Sequence, residues 1–151
     1  MHFKLRLILV FALLSVALAD AEVTLDGSVG PPSINPGDPV AAGNGYTYDI
    51  TADLGEQVGQ NLFHSFDLFN IDSGEHANFS GPTSIINIVS RVTGGSSSIG
   101  GSITSSISGA SLWLVNPAGF LFTDGAVVDV DGTFHLSTAD YLEFADRARY
   151  F

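Results

Sequence analysis

The stretch SIINIVSRVTGGSSSIGGSITSSI, residues 84–107, consists of short runs of β-branched residues separated by paired glycines. β-Branched side chains favour strands, and Gly-Gly, Asn-Pro and Asp-Gly pairs favour turns. This alternation of runs and turns continues to residue 137, and no run has an apolar stripe at helical spacing. The pattern predicts an all-β chain with strand-forming segments at Ser84–Val92, Ser98–Ile107, Ser111–Val115, Gly119–Phe122, Ala126–Val130 and Thr133–Ser137.

The strand pattern is weaker upstream of residue 82. Val23–Gly27 is strand-like but is followed by several prolines, which lack the N–H that a central strand needs. Tyr46–Thr51 alternates apolar and polar residues and predicts a second strand. In Asn61–Ile71, NLFHSFDLFNI, the apolar spacing fits a helix while the aromatic density favours a strand. We interpret this segment as strand and loop.

Several β architectures fit strands that recur at intervals of about 8 to 12 residues: a sandwich, a barrel or a β-solenoid. Asn, Gly, Asp and Ser at the corners, with Ile and Val between them, favour a solenoid. In that fold each corner stacks on the next, and the aliphatic side chains form a continuous column. No fixed repeat period is visible, so periodicity alone leaves solenoid and sandwich nearly even.

The first residues, MHFKLRLILVFALLSVALADA, have the three parts of a cleavable signal peptide. Lys4 and Arg6 form the positive start, an apolar run follows, and small residues precede the cleavage point. The apolar run is shorter than the roughly 20 residues that span a bilayer, which counts against the alternative of a short membrane anchor. We predict a signal peptide at residues 1–19, with cleavage after Ala19 or Ala21.

Composition limits the partners of the predicted mature domain, residues 22–151. The whole chain has 16 acidic and five basic residues, a net charge of −11 and no cysteine. Nucleic acid is excluded as a partner, because phosphate binding needs a basic surface. Without disulfides, an exported domain depends on packing and backbone hydrogen bonds for its stability.

No group of residues has the pattern of a catalytic or metal site. Asp129-Val130-Asp131-Gly132 suggests a calcium loop, but the glycine comes too early for an EF-hand and no closing Glu follows. No Ser lies in a Gly-x-Ser-x-Gly elbow. We predict no catalytic residue, no cofactor and no metal, since the remaining histidines lack a His-x-x-x-His pair and a nearby Cys: His64, His76 and His135.

Four stretches, in this order, carry a resemblance to one family. They are Asn61–Phe66 (NLFHSF), Ile86–Gly95 (INIVSRVTGG), Leu112–Phe122 (LWLVNPAGFLF) and Val128–Phe134 (VDVDGTF), the last running into Ser137–Asp140. Together they resemble the N-terminal secretion domain of two-partner-secretion exoproteins, the filamentous haemagglutinin N-terminal domain family. The likeness covers residues 23–151, nearly all of the predicted mature chain.

The resemblance implies which residues act as secretion-motif or fold-determining residues. The family usually has a second Asn where this chain has Ala118. Asn116, Pro117 and Gly119 are still compatible with a tight turn, but Ala118 cannot make the hydrogen bond that an Asn side chain would make there. Turn geometry and direct recognition by a partner both remain open as the role of the Asn-Pro pair. The candidates are Asn61, Leu62, Phe63, His64, Ser65, Phe66, Asn116, Pro117 and Gly119.

The resemblance further implies a right-handed parallel β-helix with an N-terminal cap and small extra β elements, and an address for secretion instead of an enzyme. Such a domain enters the periplasm of a Gram-negative bacterium. There the periplasmic receptor domains of a dedicated outer-membrane β-barrel transporter recognise it largely unfolded. The chain then threads outward and folds at the cell surface.

The resemblance also implies an exoprotein of adhesin, haemagglutinin or haemolysin type, which binds host-cell or surface glycans through a region downstream of Phe151. The chain ends before such a region, so we expect a fragment or the product of a truncated gene. Two alternatives belong to other classes: a secreted polysaccharide-active β-helix enzyme, and a self-assembling surface fibre subunit formed through exposed strand edges.

Overall fold

The computed structural model describes residues 23–40, 46–145 and 147–151, and the predicted signal peptide at residues 1–19 lies outside them. None of the described residues is in an α-helix, and none of their helices is long and apolar enough to cross a membrane. One 3₁₀ helix covers Ala52–Leu54. The strands are β1 (Val23–Leu25), β2 (Thr47–Thr51), β3 (Glu56–Val58), β4 (Asn61–Phe69), β5 (His76–Ser80), β6 (Asn87–Val92), β7 (Ser97–Ile99), β8 (Ser102–Ser105), β9 (Ser111–Val115), β10 (Phe120–Phe122), β11 (Val127–Asp129), β12 (Phe134–Ser137), β13 (Leu142–Glu143) and β14 (Arg149–Tyr150).

Most strands belong to three sheets that run along the molecule. The first sheet has the order β1-β4-β6-β9-β12, with β3 also paired to β4, and the second has the order β11-β8-β5-β2. The short third sheet pairs β7 with β10. The chain visits the three sheets in turn, and equivalent strands of successive circuits pair in parallel. The predicted all-β fold and the β-solenoid are therefore confirmed.

Successive coils of the solenoid differ in length. In the first sheet Asn61 pairs with Asn87, Asn87 with Ser111, and Leu112 with Phe134, so the coils advance by 26, 24 and 22 residues. Corners that lose residues from coil to coil leave no constant period in the sequence. This shortening explains why periodicity alone could not separate a solenoid from a sandwich.

A cap closes the N-terminal end of the solenoid. Strands β1 and β3 both pair antiparallel with β4, on the edge opposite β6. The register shifts between Thr24 and Leu25, where β1 pairs with Leu68 and then Phe66. The cap satisfies the backbone groups that the first coil would otherwise expose at a sheet edge.

The core is a column of apolar side chains inside the coils, formed by alternate residues of each strand. The predicted segment Ser84–Val92 becomes a strand only from Asn87, because Ile85 turns into the core at the preceding corner. The segment Ser98–Ile107 forms two strands instead of one. Gly101 makes the corner between them, where a Cβ atom would collide with the carbonyl oxygens of Glu75 and Asp72.

Candidate functional site

The NLFHSF motif, residues 61–66, forms most of β4, the first strand of the first coil. Strand alternation sends Leu62, His64 and Phe66 into the core, and all three side chains are fully buried. Phe63 lies on the outer face and is half-buried. Ser65 also lies on the outer face, yet it is buried because other segments cover it.

His64 is a neutral histidine inside the core. Its Nε2 lies 3.1 Å from the carbonyl oxygen of Thr51, so this nitrogen carries the proton and donates. The rings of Phe66 and Phe79 lie 6.0 and 5.7 Å from the imidazole. Burial lowers the pKa of His64 from its usual 6.5 to about 4, although the hydrogen bond to Thr51 acts in the opposite direction. Within the described residues, Nδ1 has no hydrogen-bond partner.

Ser65 belongs to a polar cluster that we call the Arg91 network: Asp26, Ser28, Ser65, Arg91 and Tyr150. The Ser65 hydroxyl donates to Asp26 (2.6 Å) and accepts from Nε of Arg91 (2.7 Å). Arg91 also donates to the hydroxyl of Ser28 (2.7 Å) and lies 3.9 Å from the Asp26 carboxylate. The network therefore joins the N-terminal cap to the first two coils.

The charge of Asp26 depends on this network. Partial burial alone would raise the pKa of the Asp26 carboxyl. Hydrogen bonds from Ser28, Ser65 and Thr93 outweigh that effect and lower the pKa below its usual value. Asp26 is therefore a carboxylate at neutral pH, opposite the guanidinium of Arg91.

The C-terminal hairpin β13–β14 covers the outer face of the motif. The Tyr150 hydroxyl donates to the carbonyl oxygen of His64 (2.6 Å), and burial raises the pKa of this phenol. The Tyr150 ring lies 4.7 Å from the guanidinium carbon of Arg91 and 5.0 Å from the Phe63 ring. Phe144 packs against Phe63 at 5.9 Å with the rings nearly perpendicular. The end of the chain is thus held against its first coil.

The second candidate group, Asn116, Pro117 and Gly119, forms a corner after β9. The Asn116 side chain is buried; its amide donates to the Gly95 carbonyl (2.8 Å) and the Ser97 hydroxyl (3.0 Å). Its Oδ1 accepts from the Ala118 N–H (2.9 Å). The Gly119 N–H donates to the Asn116 carbonyl (2.9 Å), and Gly119 has a φ of 97°, which favours glycine. The tight turn is present without a second Asn.

The structure brings Asn61 to Phe66 together with segments that the sequence did not connect to them. Asn116, Pro117 and Gly119 form a separate corner, in which Pro117 is exposed. Sequence reasoning missed the roles of Asp26 and Tyr150. One signal for the Arg91 network was visible, because Arg91 is the sole strong cation between residues 22 and 146.

The chemistry of these residues is that of packing and hydrogen bonding. Within the described part of the chain, no group of three or more His, Cys, Asp or Glu side chains could hold a metal ion. Asp129 and Asp131 are exposed, at the end of β11 and in the bend before β12.

Comparison with known proteins identifies one family. The model of the TPS secretion domain matches residues 21–151, which is most of the chain. No curated protein and no solved structure matched it.

Proposed function

The chain belongs to the TPS secretion domain family, the N-terminal domains of two-partner-secretion exoproteins, and we propose that its transporter recognises β4 before the domain folds. Membership in this family indicates a secreted exoprotein that is exported through the outer membrane, with an outer-membrane transporter as its general partner. The proposal adds where recognition takes place and in which state of the chain: in the periplasm, by receptor domains of the transporter, on an unfolded segment.

Burial of the motif is the observation that supports this proposal. The side chains of Leu62, His64 and Phe66 have no exposed surface in the folded domain. Asn116 is 1% exposed, and its side-chain hydrogen bonds all go to other parts of the same domain. A receptor that selects the chain by these side chains must therefore contact them before they are buried.

The backbone of β4 supports the same order of events. An extended segment binds a receptor by adding a strand to a sheet edge, which requires free N–H and C=O groups on one side. In the folded domain β4 has β1 and β3 on one edge and β6 on the other. Its backbone is available for strand addition only in the unfolded chain.

We propose that the domain folds outside the cell, beginning with its first coil. The first coil pairs with the cap, and later coils then add to it by nearest-neighbour stacking. Completion requires Tyr150 to reach His64, which brings the end of the chain back to its first coil. We propose that this folding makes outward movement irreversible. The chain crosses the transporter unfolded, so coils that have folded outside cannot pass back through it.

Two further parts of the proposal rest on the sequence alone. Residues 1–19 would direct the chain to the periplasm, and N-terminal sequencing of the secreted protein should find a start at Asp20 or Glu22. We also propose an exoprotein of adhesin, haemagglutinin or haemolysin type from the resemblance described above. The first statement fails if the secreted chain retains Met1, and the second fails if the full gene product lacks any cell-binding activity.

Secretion with a cognate transporter tests whether β4 is recognised directly or only determines the fold. Leu62→Ala and Ile103→Ala form a matched pair, because both remove a fully buried aliphatic side chain and should each cost about 2–5 kcal/mol of stability. Leu62 lies in the motif strand, and Ile103 lies in β8 outside it. We expect the Leu62 variant to be secreted about tenfold less efficiently than the Ile103 variant, as a loss of about 1.4 kcal/mol in binding would give.

The comparison is made at similar thermal stability, measured on the purified variants. Equal secretion of the two variants would show that β4 acts only through the fold. Normal secretion of the Leu62 variant would also contradict recognition of this strand.

A further inference from the structure

Strand β3, Glu56–Val58, is an edge strand of the N-terminal cap. It pairs antiparallel with β4, and no other described strand pairs with it. All three of its residues are exposed, and Val58 is 57% exposed. The edge of β3 away from β4 therefore presents backbone N–H and C=O groups, to which an extended peptide can add as a further strand.

A groove of about 610 Å³ lies beside β3 on the outer face of the first sheet. Register places Glu56 opposite Phe63 and Val58 opposite Asn61. These four side chains lie on one face of the sheet, since the intervening Leu62 is buried in the core. All four line the groove. Its volume is within the range of about 300–1,000 Å³ that is usual for ligand sites.

The remaining walls of the groove are mostly apolar. Phe144, Ala148 and Tyr150 line it from the C-terminal segment, and Val29 lines it from the segment after β1. The rings of Tyr150 and Phe144 lie 5.0 and 5.9 Å from the Phe63 ring, which holds them in place. Ala148 is exposed, so the groove is open to solvent on that side. An apolar side chain can therefore enter and pack against fixed aromatic rings.

Charge in the groove favours a basic ligand. The Glu56 carboxylate makes no hydrogen bond or ion pair with another described residue. The Arg149 guanidinium also lines the groove, but it already pairs with Glu143 (2.7 Å) and lies 4.5 Å from the centre of the Tyr141 ring. The net charge of the chain is −11. A lysine or arginine side chain is therefore complementary to Glu56, and an acidic one is repelled.

We propose that the folded domain binds an extended peptide segment of a partner protein as an added strand on β3, and that this segment carries a basic and an apolar residue two positions apart. Residues two apart lie on the same face of a strand. The basic side chain then lies opposite Glu56, and the apolar side chain lies opposite Val58 and reaches the groove. This site needs the folded domain, whereas recognition by the transporter is proposed for the unfolded chain, so the two proposals can fail independently.

Two synthetic peptides of identical composition test the spacing. In Ac-TKTVTVT-NH₂ the lysine and the valines share one face of a strand, and in Ac-TKVTVTT-NH₂ they lie on opposite faces. Each is titrated into the purified folded chain labelled with ¹⁵N, and the backbone amide signals are followed by nuclear magnetic resonance. A segment that makes one strand pairing and two side-chain contacts should bind with a Kd of about 0.1–1 mM. We expect saturable shifts of the β3 signals with the first peptide and binding at least tenfold weaker with the second.

Matched substitutions connect the signal to the groove. Val58→Lys and Val127→Lys place the same cation on a three-residue strand, at positions that are 57% and 50% exposed. Val58→Lys repels the lysine of the first peptide and should weaken its binding about tenfold or more, whereas Val127→Lys on β11 should change it less than about twofold. Thermal unfolding checks that each variant is folded.

Glu56→Gln gives a second test that leaves the apolar lining unchanged. It should weaken binding of the first peptide about two- to fivefold, as the loss of an exposed ion pair would give. Asp129→Asn is its control, because it removes the same charge from an exposed position on β11 and should leave binding unchanged.

Three results would overturn the proposal: no saturable shift of the β3 signals, equal binding of the two peptides, or equal weakening by Val58→Lys and Val127→Lys. Shifts centred on β10, β11 or β12 would also overturn it, since the peptide would then attach to strand edges in general.

Discussion

The two ends of the solenoid carry similar apolar residues in very different surroundings. In the first coil, Leu62, Phe66 and Phe69 of β4 are fully buried, and both edges of the strand are paired. In the last coil, Leu121 is 61% exposed and Val127 is 50% exposed. Its strands pair on one edge only within the described residues. Stability is therefore concentrated at the end that carries the NLFHSF motif.

The largest effect should come from removing the same side chain at each end. Phe66→Ala deletes a fully buried ring that lies 5.1 Å from Phe69, and should lower the free energy of unfolding by about 3–5 kcal/mol. Phe122→Ala deletes a ring that is 39% exposed, and should cost about 1 kcal/mol or less. Urea unfolding followed by circular dichroism measures both.

The contrast between these two variants is the informative quantity. Similar losses would mean that the last coil contributes as much to stability as the first, and the comparison between the two ends would be wrong.

Acid should weaken the first coil through His64. The folded-state pKa of about 4 is lower than the usual 6.5, so the unfolded chain binds the proton more readily. Stability from the neutral ring is complete above pH 6.5, falls as the pH drops toward 4, and is lost below 4. Over that range the loss is about 3 kcal/mol, at about 1.4 kcal/mol for each pH unit. Thermal unfolding at half-unit pH steps measures it.

His64→Leu is the control for this titration, because it keeps an apolar side chain in the same place and cannot take up a proton. The variant should lack the decline between pH 6.5 and 4, apart from the part that carboxylates cause. An identical pH dependence in the variant would rule out His64 as its source.

A smaller effect should follow from loosening the C-terminal hairpin. Tyr150→Phe removes the hydroxyl that donates to the His64 carbonyl, and should cost about 1 kcal/mol. Tyr141→Phe is the matched control, since this ring is 36% exposed and its hydroxyl makes no hydrogen bond within the described residues. If the two variants are equally stable, the hairpin does not secure the first coil.

Local signals in the sequence were sufficient to predict an all-β fold, whereas the family resemblance was needed to choose a β-solenoid over a sandwich. Corner pairs such as Asn116-Pro117 and Asp131-Gly132 mark turns through their own backbone preferences, and β-branched runs between them favour strands. The two interpretations of Asn61–Ile71 were harder to separate, because apolar spacing and aromatic content disagree there. Pairing with β1, β3 and β6 decides for a strand.

The contacts that complete the site depend on residues far apart in the sequence. Tyr150 donates to His64 across 86 positions, and Arg91 contacts Ser28 across 63. Strands β13 and β14 have only two residues each, which is too short for any periodic signal.

Calorimetry at pH 7 with the transporter's purified periplasmic domains separates recognition of the unfolded chain from recognition of the folded domain. The folded chain is compared with an Ile103→Asp variant, which a buried carboxylate in β8 should keep unfolded while the motif stays unchanged. If β4 is recognised before folding, the unfolded variant binds at least tenfold more tightly than the folded chain. Equal or tighter binding by the folded chain would contradict recognition before folding.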